Sequence, residues 1–476
     1  MKPTSHAFKE NARAALGDPN LQKAMTNLRA GFVERRALMI SRLPEWEGLR
    51  DEAVAIKRHT LAYLDFYLES FERNVIAAGG KVHWCRDAAE ANEAVLAICR
   101  DLGAKTVTKG KSMIGEEMAV NDYLEANGMV PVETDLGEYI IQIRHEGPSH
   151  IIAPAIHLVK EQIAESFRLT HTKLDPKRQL EDARQMCDEA RGILRQQFLA
   201  ADVGITGANF LIAETGSSII VTNEGNGDLT QTLPRAHIVL ASLEKIVPTL
   251  EDAATILRLL ARSATGQEFS SYTTVSTGPR RAEDLDGPGR YHVVLLDNGR
   301  SAMLGTEFED MLRCIRCAAC LNHCPVYEAV GGKSYGWVYP GPMGSVLTPT
   351  LVGIEEAGNL PNASTFCGRC ESVCPMKIPL PKMMRHWRER EFSRHLSPAS
   401  WRWGLAVWAF FATRPRLYHA AAGMAARVLG FFGKGRGRFR SLPLASGWTG
   451  TRDMPAPQGR SFHSLWKAAM RKKAGP

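Results

Sequence analysis

The sequence predicts an α/β domain with a largely parallel sheet, preceded by helices and followed by a helical module organised around cysteines. Three observations carry this. From Lys81 onward, short β-prone runs alternate with amphipathic segments, the pattern of strand–helix–strand units. Before Lys81, apolar residues recur at three- and four-residue steps, the period of packed helices. Finally, seven of the ten cysteines fall within the 61 residues from Cys314 to Cys374.

Taken in order, Gly31–Leu43 and Leu49–Glu72 read as helices, and Ala78-Ala-Gly-Gly80 is where the chain can no longer continue as helix. Lys81–Cys85 reads as a strand, Ala88–Leu102 as a helix ended by Gly103, and Lys105–Lys109 as a second strand. Ile114–Ala126 is expected as one helix stopped at Asn127-Gly128, followed by strands at Met129–Glu133 and Tyr139–Ile143. A long polar helix is expected over Asp175–Leu199. Phe210–Ala213 and Ser218–Thr222 flank Glu214-Thr-Gly216 as a hairpin. His237–Ala241, Tyr272–Ser276 and Tyr291–Leu296 are further strands, and Glu251–Ser263 is a helix.

The first cysteine run is Cys314-Ile-Arg-Cys317-Ala-Ala-Cys320-Leu-Asn-His-Cys324-Pro325. This is C-x2-C-x2-C-x3-C-P, the spacing of bacterial iron–sulfur proteins, whose fourth cysteine ligates the other cluster. The second run, Cys367-Gly-Arg-Cys370-Glu-Ser-Val-Cys374-Pro375, lacks the leading cysteine, and Ser364 stands at that position. The spacing therefore assigns Cys314, Cys317, Cys320 and Cys374 to cluster 1, a [4Fe–4S] cluster. Cys324, Cys367 and Cys370 fall to cluster 2, a [3Fe–4S] cluster or a [4Fe–4S] cluster whose fourth iron takes Ser364, water or a partner's ligand. The competing zinc reading expects two C-x2-C hooks without the C-x3-C-P tail. Between Cys324 and Cys367 lie 42 residues, and helix-compatible flanks at Phe308–Leu312 and Leu380–Phe392 favour a helical ferredoxin module like that of succinate dehydrogenase iron–sulfur subunits. Cys85, Cys99 and Cys187 stand alone and read as buried small hydrophobes.

The composition, 44% hydrophobic and 23% charged over 476 residues, is that of a globular protein with room for about two to four domains. The first ten residues carry no apolar core or cleavage site, and no apolar run reaches 18 residues. With the thiolate motifs, this predicts a cytoplasmic protein. Charge is uneven. Residues 381–476 hold 19 Lys and Arg against 3 Asp and Glu, a net of +16 within a chain total of +8, so the first 380 residues carry −8. Six of the nine tryptophans also lie after residue 380. Such a tail fits docking on partner subunits, peripheral contact with an anionic membrane, or a helical cap over the clusters with a basic end. No nucleic-acid-binding module is recognisable, so no nucleic acid is expected.

Lys109, Lys111, Glu116, Glu133, Asp135, Glu138, His145, His150 and His157 crowd into 49 residues. One reading makes Lys109 and Lys111 anion anchors with Glu133 or Asp135 as a base. The other pairs lysines with acids and leaves the histidines to cap loops. No G-x-G-x-x-G follows a strand, and Gly110-Lys-Ser112 lacks the first glycine of a P-loop, Lys105 standing there. Without a hydride acceptor, the chain is expected to move electrons and not to oxidise a substrate alone.

Lys109-Gly-Lys-Ser-Met113, Glu116-Glu117, Glu133-Thr-Asp-Leu-Gly-Glu-Tyr-Ile-Ile-Gln142, Pro148-Ser-His-Ile151, Pro154-Ala-Ile-His157 and Glu214-Thr-Gly-Ser217 resemble the LUD domain. Together with the cysteine runs and Gly336-Trp-Val-Tyr-Pro-Gly-Pro342, residues 10 to 470 resemble the lactate utilization protein B family. The resemblance implies an electron carrier in a three-protein system oxidising L-lactate to pyruvate, with other lactate-utilization subunits as partners. It also implies the fold of sugar-phosphate isomerases and CoA transferases, and the same seven cysteines as cluster ligands. The organisation expected is residues 1–70 N-terminal helices, 71–300 LUD domain, 301–390 iron–sulfur domain and 391–476 basic C-terminal region. The alternative is a stand-alone LUD enzyme with auxiliary clusters.

Overall fold

A computed structural model describes residues 3–442, 445–450 and 452–473. Residues 1–2 of the N-terminal region and 443, 444, 451 and 474–476 of the basic region lie outside the described residues. The chain divides into two compact units, residues 1–390 and 391–476.

In the first unit, six strands form a parallel sheet: β1 (Lys81–Cys85), β2 (Thr106–Gly110), β3 (Val130–Glu133), β4 (Val203–Gly207), and two added after a second, smaller sheet. That smaller sheet contains β5 (Phe210–Ile212) and β6 (Ser217–Thr222), the expected hairpin. β7 (Ala236–Ser242) returns to the large sheet, β8 (Ile246–Val247) and β9 (Tyr272–Ser276) belong to the small one, and β10 (Arg290–Leu296) completes the large one. The orders are β1-β10-β7-β4-β2-β3 and β8-β5-β6-β9. Every residue of β4 and β7 is buried, as expected for central strands covered by helices on both faces. Helix Asn226–Thr232 lies so close on β4 that a Cβ at Gly204 would stand 1.7 Å from the Thr230 carbonyl oxygen.

Five expectations are corrected. The helix expected over Leu49–Glu72 is two, Trp46–Ala62 and Leu64–Ala77, broken where Tyr63 takes φ −125° and ψ 38°. Tyr139–Ile143 is not a strand but the end of helix Leu136–Ile143, because Asp135 Oδ1 accepts from the Gly137 and Glu138 amides and starts a helix that the β-branched run alone does not announce. The helix expected over Ile114–Ala126 is two, Met113–Glu117 and Val120–Ala126, broken where Ala119 takes a φ of 53°. The long polar helix starts only at Ala183, where Asp182 and Gln185 form a capping box. Cys85 and Cys99 are buried as expected, but Cys187 is exposed.

One continuous core joins the N-terminal helices, the small sheet, helix Leu250–Ala264 and the cysteine-bearing segment, with Phe8, Leu28, Trp46, Phe210, Ile256, Met311, Tyr327 and Trp387 all in it. The start of the chain is tied down there too. The Thr4 amide donates to Gly336 O at 2.8 Å and Ser5 Oγ to Tyr335 O at 2.8 Å.

In the second unit, helices Ala399–Ala412 and Pro415–Gly433 pack on each other. Helix Ala399–Ala412 buries none of its residues, and Trp401, Trp403 and Trp408 are 68%, 74% and 62% exposed. Among the described residues no helix is long and apolar enough to cross a membrane.

Candidate iron–sulfur site

The two cysteine runs fold as a structural repeat. In the first, Arg316 and Ala318 take φ values of 58° and 59°, and helix Ala319–Asn322 follows. In the second, Phe366 and Gly368 take 53° and 77°, and helix Arg369–Ser372 follows. Each left-handed residue sits at the same offset within its run, so Ser364 occupies the backbone position that Cys314 holds in the first loop. Three of the four are not glycine, and the strain of a positive φ persists only where surroundings over-determine it. Wrapping a loop around a compact guest is one such demand.

The thiols fall into two groups. Cys314, Cys317, Cys320 and Cys374 line one cavity, with apolar walls including Met311, Ile315, Met343 and Met376. Cys324, Cys367 and Cys370 line a second cavity, with Ser364 and Thr365 on its wall. All ten cysteines are free thiols. Among the described residues no three His, Cys, Asp or Glu side chains close on one point that would hold a single metal ion.

The electrostatics fit the same guest. Burial, reinforced by the neighbouring Cys374, holds the Cys317 thiol well above its ordinary range, and burial likewise raises Cys320. Burial pushes Cys370 up to about 12 and Cys374 up to about 11. Packed together without a cation these groups stay protonated; a bound metal cluster supplies the positive charge that makes them thiolates. Cys367 differs. It is exposed, and the Arg369 amide and then the Thr365 hydroxyl lower its proton affinity. Soft sulfur donors in a largely dry cavity therefore fit an iron–sulfur cluster.

Around the first cavity stand buried guanidinium groups that sequence reasoning missed. Arg50 Nη2 donates to Cys374 O at 2.6 Å and Arg36 Nη2 to Val373 O at 2.7 Å. Both come from N-terminal helices, whose amphipathic pattern gave no hint of that role. Arg316, from the cysteine loop itself, begins an ion chain into the large sheet. Its Nη2 donates to Glu244 Oε1 at 3.1 Å, Glu244 Oε2 lies 3.1 Å from Arg300 Nε, and Arg300 Nη2 donates to Glu117 Oε2 at 2.6 Å. Tyr339 OH also donates to Glu117 Oε2 at 2.6 Å. Glu244 and Arg300 lie just past the carboxyl ends of β7 and β10, where parallel sheets present functional side chains, but nothing in the sequence marked them.

The acid–lysine constellation resolves toward internal pairing. Lys109, 1% exposed, is 2.8 Å from Glu116 and 2.7 Å from Glu133. Burial alone would strip its proton, but these two carboxylates outweigh that and raise its affinity. Lys111 pairs with Asp135. Burial raises both Glu133 and Glu138. His150 caps a loop: its Nδ1 accepts from the Ile152 and Ala153 amides, and Nε2 bonds Asn322 Oδ1 at 2.9 Å. His157 bonds Glu146 at 3.0 Å, and His145 is exposed. Glu214, at the hairpin turn, accepts from the Leu250 amide at 2.8 Å. Lys109 and Lys111 are thus not free anion anchors.

Comparison with known proteins agrees with this layout. The LUD domain family matches residues 68–296, a 4Fe-4S dicluster domain matches residues 310–378, and the lactate utilisation protein B C-terminal family matches residues 376–471. The chain is similar to a protein named lactate utilization protein B from Macrococcus caseolyticus, 41% identical over 478 residues that cover 100% of this chain and 99% of the relative. It is 42% identical over 480 residues to the protein of that name from Geobacillus kaustophilus, with 100% and 99% covered. A solved DUF162 family structure from Deinococcus radiodurans covers 49% of this chain and 98% of its own at 16% identity, with a TM-score of 0.25, too weak a likeness to bear on the fold.

Proposed function

The chain belongs to the lactate utilization protein B family, and on that premise we propose that it is an iron–sulfur electron-transfer protein in the oxidation of L-lactate to pyruvate, acting with other lactate-utilization subunits. The observation that carries this reading is the division of seven cysteines, four and three, between two cavities in the order that crossed ligation demands. Cys314, Cys317, Cys320 and Cys374 would hold a [4Fe–4S] cluster 1. Cys324, Cys367 and Cys370 would hold cluster 2, with Ser364 placed as the fourth donor of a [4Fe–4S] form or left out of a [3Fe–4S] form. Bound clusters of this kind carry single electrons. The chain's own residues supply the rest. Apolar side chains keep water from cluster 1, Arg36 and Arg50 offset thiolate charge, and exposed Cys367 brings cluster 2 to the surface where a partner can dock.

We further assign residues 1–70 to a helical brace, 71–300 to the LUD domain, 301–390 to a helical ferredoxin-type module and 391–476 to association. A LUD fold shared with sugar-phosphate isomerases and CoA transferases fits strand-end side chains gathered at one edge of a parallel sheet.

Assayed alone with L-lactate and an artificial acceptor, the iron-loaded chain should give no pyruvate, and adding the partner subunits should restore turnover. Turnover by the single chain would overturn the carrier role and favour a stand-alone LUD enzyme with auxiliary clusters.

The basic unit, with its net charge and exposed tryptophans, fits attachment to a partner or an anionic membrane face. The screening length falls from about 10 Å at 0.1 M salt to about 3 Å at 1 M. Co-sedimentation with partner subunits or anionic vesicles should therefore fall over that range and vanish on deleting residues 396–476, with iron content kept. Loss of iron with association intact would make the unit a structural lid.

A further inference from the structure

We propose that the cavity at the carboxyl edge of the large sheet is a binding site for a short-chain monocarboxylate, whose carboxylate is taken by Arg316 and Lys245. The cavity, about 160 Å³, is lined from the ends of β2, β4 and β7, from helix Leu250–Ala264 and from the cysteine loop through Arg316. Parallel sheets place ligands at this edge. Ile151 and Arg316 line this cavity and the cavity of Cys314, Cys317, Cys320 and Cys374 alike, so the two spaces share a wall.

Two cations on the wall keep donors without an acceptor. Arg316 spends Nη2 on Glu244, but its buried Nη1 has no hydrogen-bond partner. Lys245 is 8% exposed, and among the described residues its ammonium has no hydrogen bond or ion pair, with Glu244 acting on it only through charge. The local charge does not balance. Glu117 and Glu244 face Arg300, Arg316, Lys245 and the buried Lys57, so cations outnumber carboxylates four to two, with the cluster ligand Cys314 also acting on Arg316, Lys245 and Lys57. Also at the cavity are Lys111, paired with Asp135 and Glu224, and Glu138, whose carboxyl burial drives toward its neutral form. Buried cations without acceptors are costly unless an anion completes them. A planar fork beside a point charge suits a carboxylate.

The remaining wall selects the body of the ligand. Apolar Met113, Ile114, Val221, Leu240 and Leu260 alternate there with polar Asn209, Thr222 and Thr265, which suits a short carbon chain bearing a hydroxyl or keto oxygen. The site rests on the lactate reading only for which acid is bound, and it places that acid in this chain instead of a partner.

The test is calorimetry on the anaerobically iron-loaded chain with L-lactate, pyruvate and inorganic phosphate. Lactate or pyruvate should bind, phosphate should not compete, and Lys245→Met should weaken binding by about tenfold or more with iron content unchanged. Lys245→Arg, which keeps the charge, should retain binding, and Ala264→Leu, which fills the cavity without altering charge, should weaken it. No binding of either acid at millimolar concentration, equal competition by phosphate, or binding indifferent to both Lys245→Met and Ala264→Leu would overturn the site. In those cases the cations serve the thiolate cluster alone. Turnover in the reconstituted system alongside such a result would leave the electron-transfer reading standing, so the two failures are separable.

Discussion

Cys374→Ala should empty the first cavity of iron and spare the second, taking the anaerobically reconstituted chain from about seven to eight irons to about three to four. In sequence Cys374 is the neighbour of Cys370 and lies 50 residues after Cys324, so a reading by proximity would put its loss on the second cluster. The fold puts it with Cys314, Cys317 and Cys320. There it is buried, its carbonyl held by Arg50. Cys370→Ala should do the converse. Iron analysis with low-temperature EPR separates the cases, because each variant should lose a different reduced-cluster signal. Loss of the same signal in both would contradict the crossed assignment.

Arg300→Met should destabilise the first unit by about 3–5 kcal/mol, the usual result of removing one member of a buried ion network. Arg300 is 1% exposed and stands between Glu117 and Glu244, themselves 0% and 3% exposed at the side chain. Methionine fills comparable volume but leaves both carboxylates without their shared cation. Burial favours their neutral forms, and it is Arg300, aided by Arg316 for Glu244, that holds both below the ordinary carboxylate range. Stability from such depressed groups is present at neutral pH and is lost as pH falls toward their folded values. The penalty should therefore be largest near pH 7 and shrink in acid. Urea unfolding of wild type and variant at pH 7 and at about pH 3, below the ordinary carboxylate value of 4.5, measures this. As a control, the pair Arg290–Asp101 is 47% and 70% exposed, and Arg290→Ala should cost no more than about 1 kcal/mol. Equal costs for the two substitutions would mean that the buried chain does not tie the cysteine loop to the sheet.

The parts of the fold legible in the sequence were those with a local signal. β7 and β10 carry the apolar runs Ile238–Ala241 and Val293–Leu296 because both their faces are covered there, and such runs declare themselves without knowledge of their neighbours. Helix Leu136–Ile143 was misread because its deciding feature, a cap from Asp135, outweighs an apolar β-branched run that suits either state. The four-stranded sheet was legible only as its hairpin. β8 has two residues and pairs with β5 across the intervening β6 and β7, a register no local pattern encodes.

The candidate site divides the same way. Seven cysteines and the odd serine could be counted off, and the repeated left-handed turns are the physical counterpart of that count. The cations around them could not. Arg36, Arg50, Lys245 and Arg300 come from four separate elements, and each looks like an ordinary surface charge until the fold buries it. Lys109 and Lys111 misled for the opposite reason. Their neighbours in sequence are also their partners in space, so a crowd of charges that looked available is consumed internally.

The central claim is that one chain holds two clusters by crossed ligation. The most direct measurement is iron and acid-labile sulfide content, with low-temperature EPR, on wild-type protein purified and reconstituted without air. The account predicts about seven to eight irons per chain and two reduced-cluster signals. Four irons or fewer, with a single signal, would contradict it.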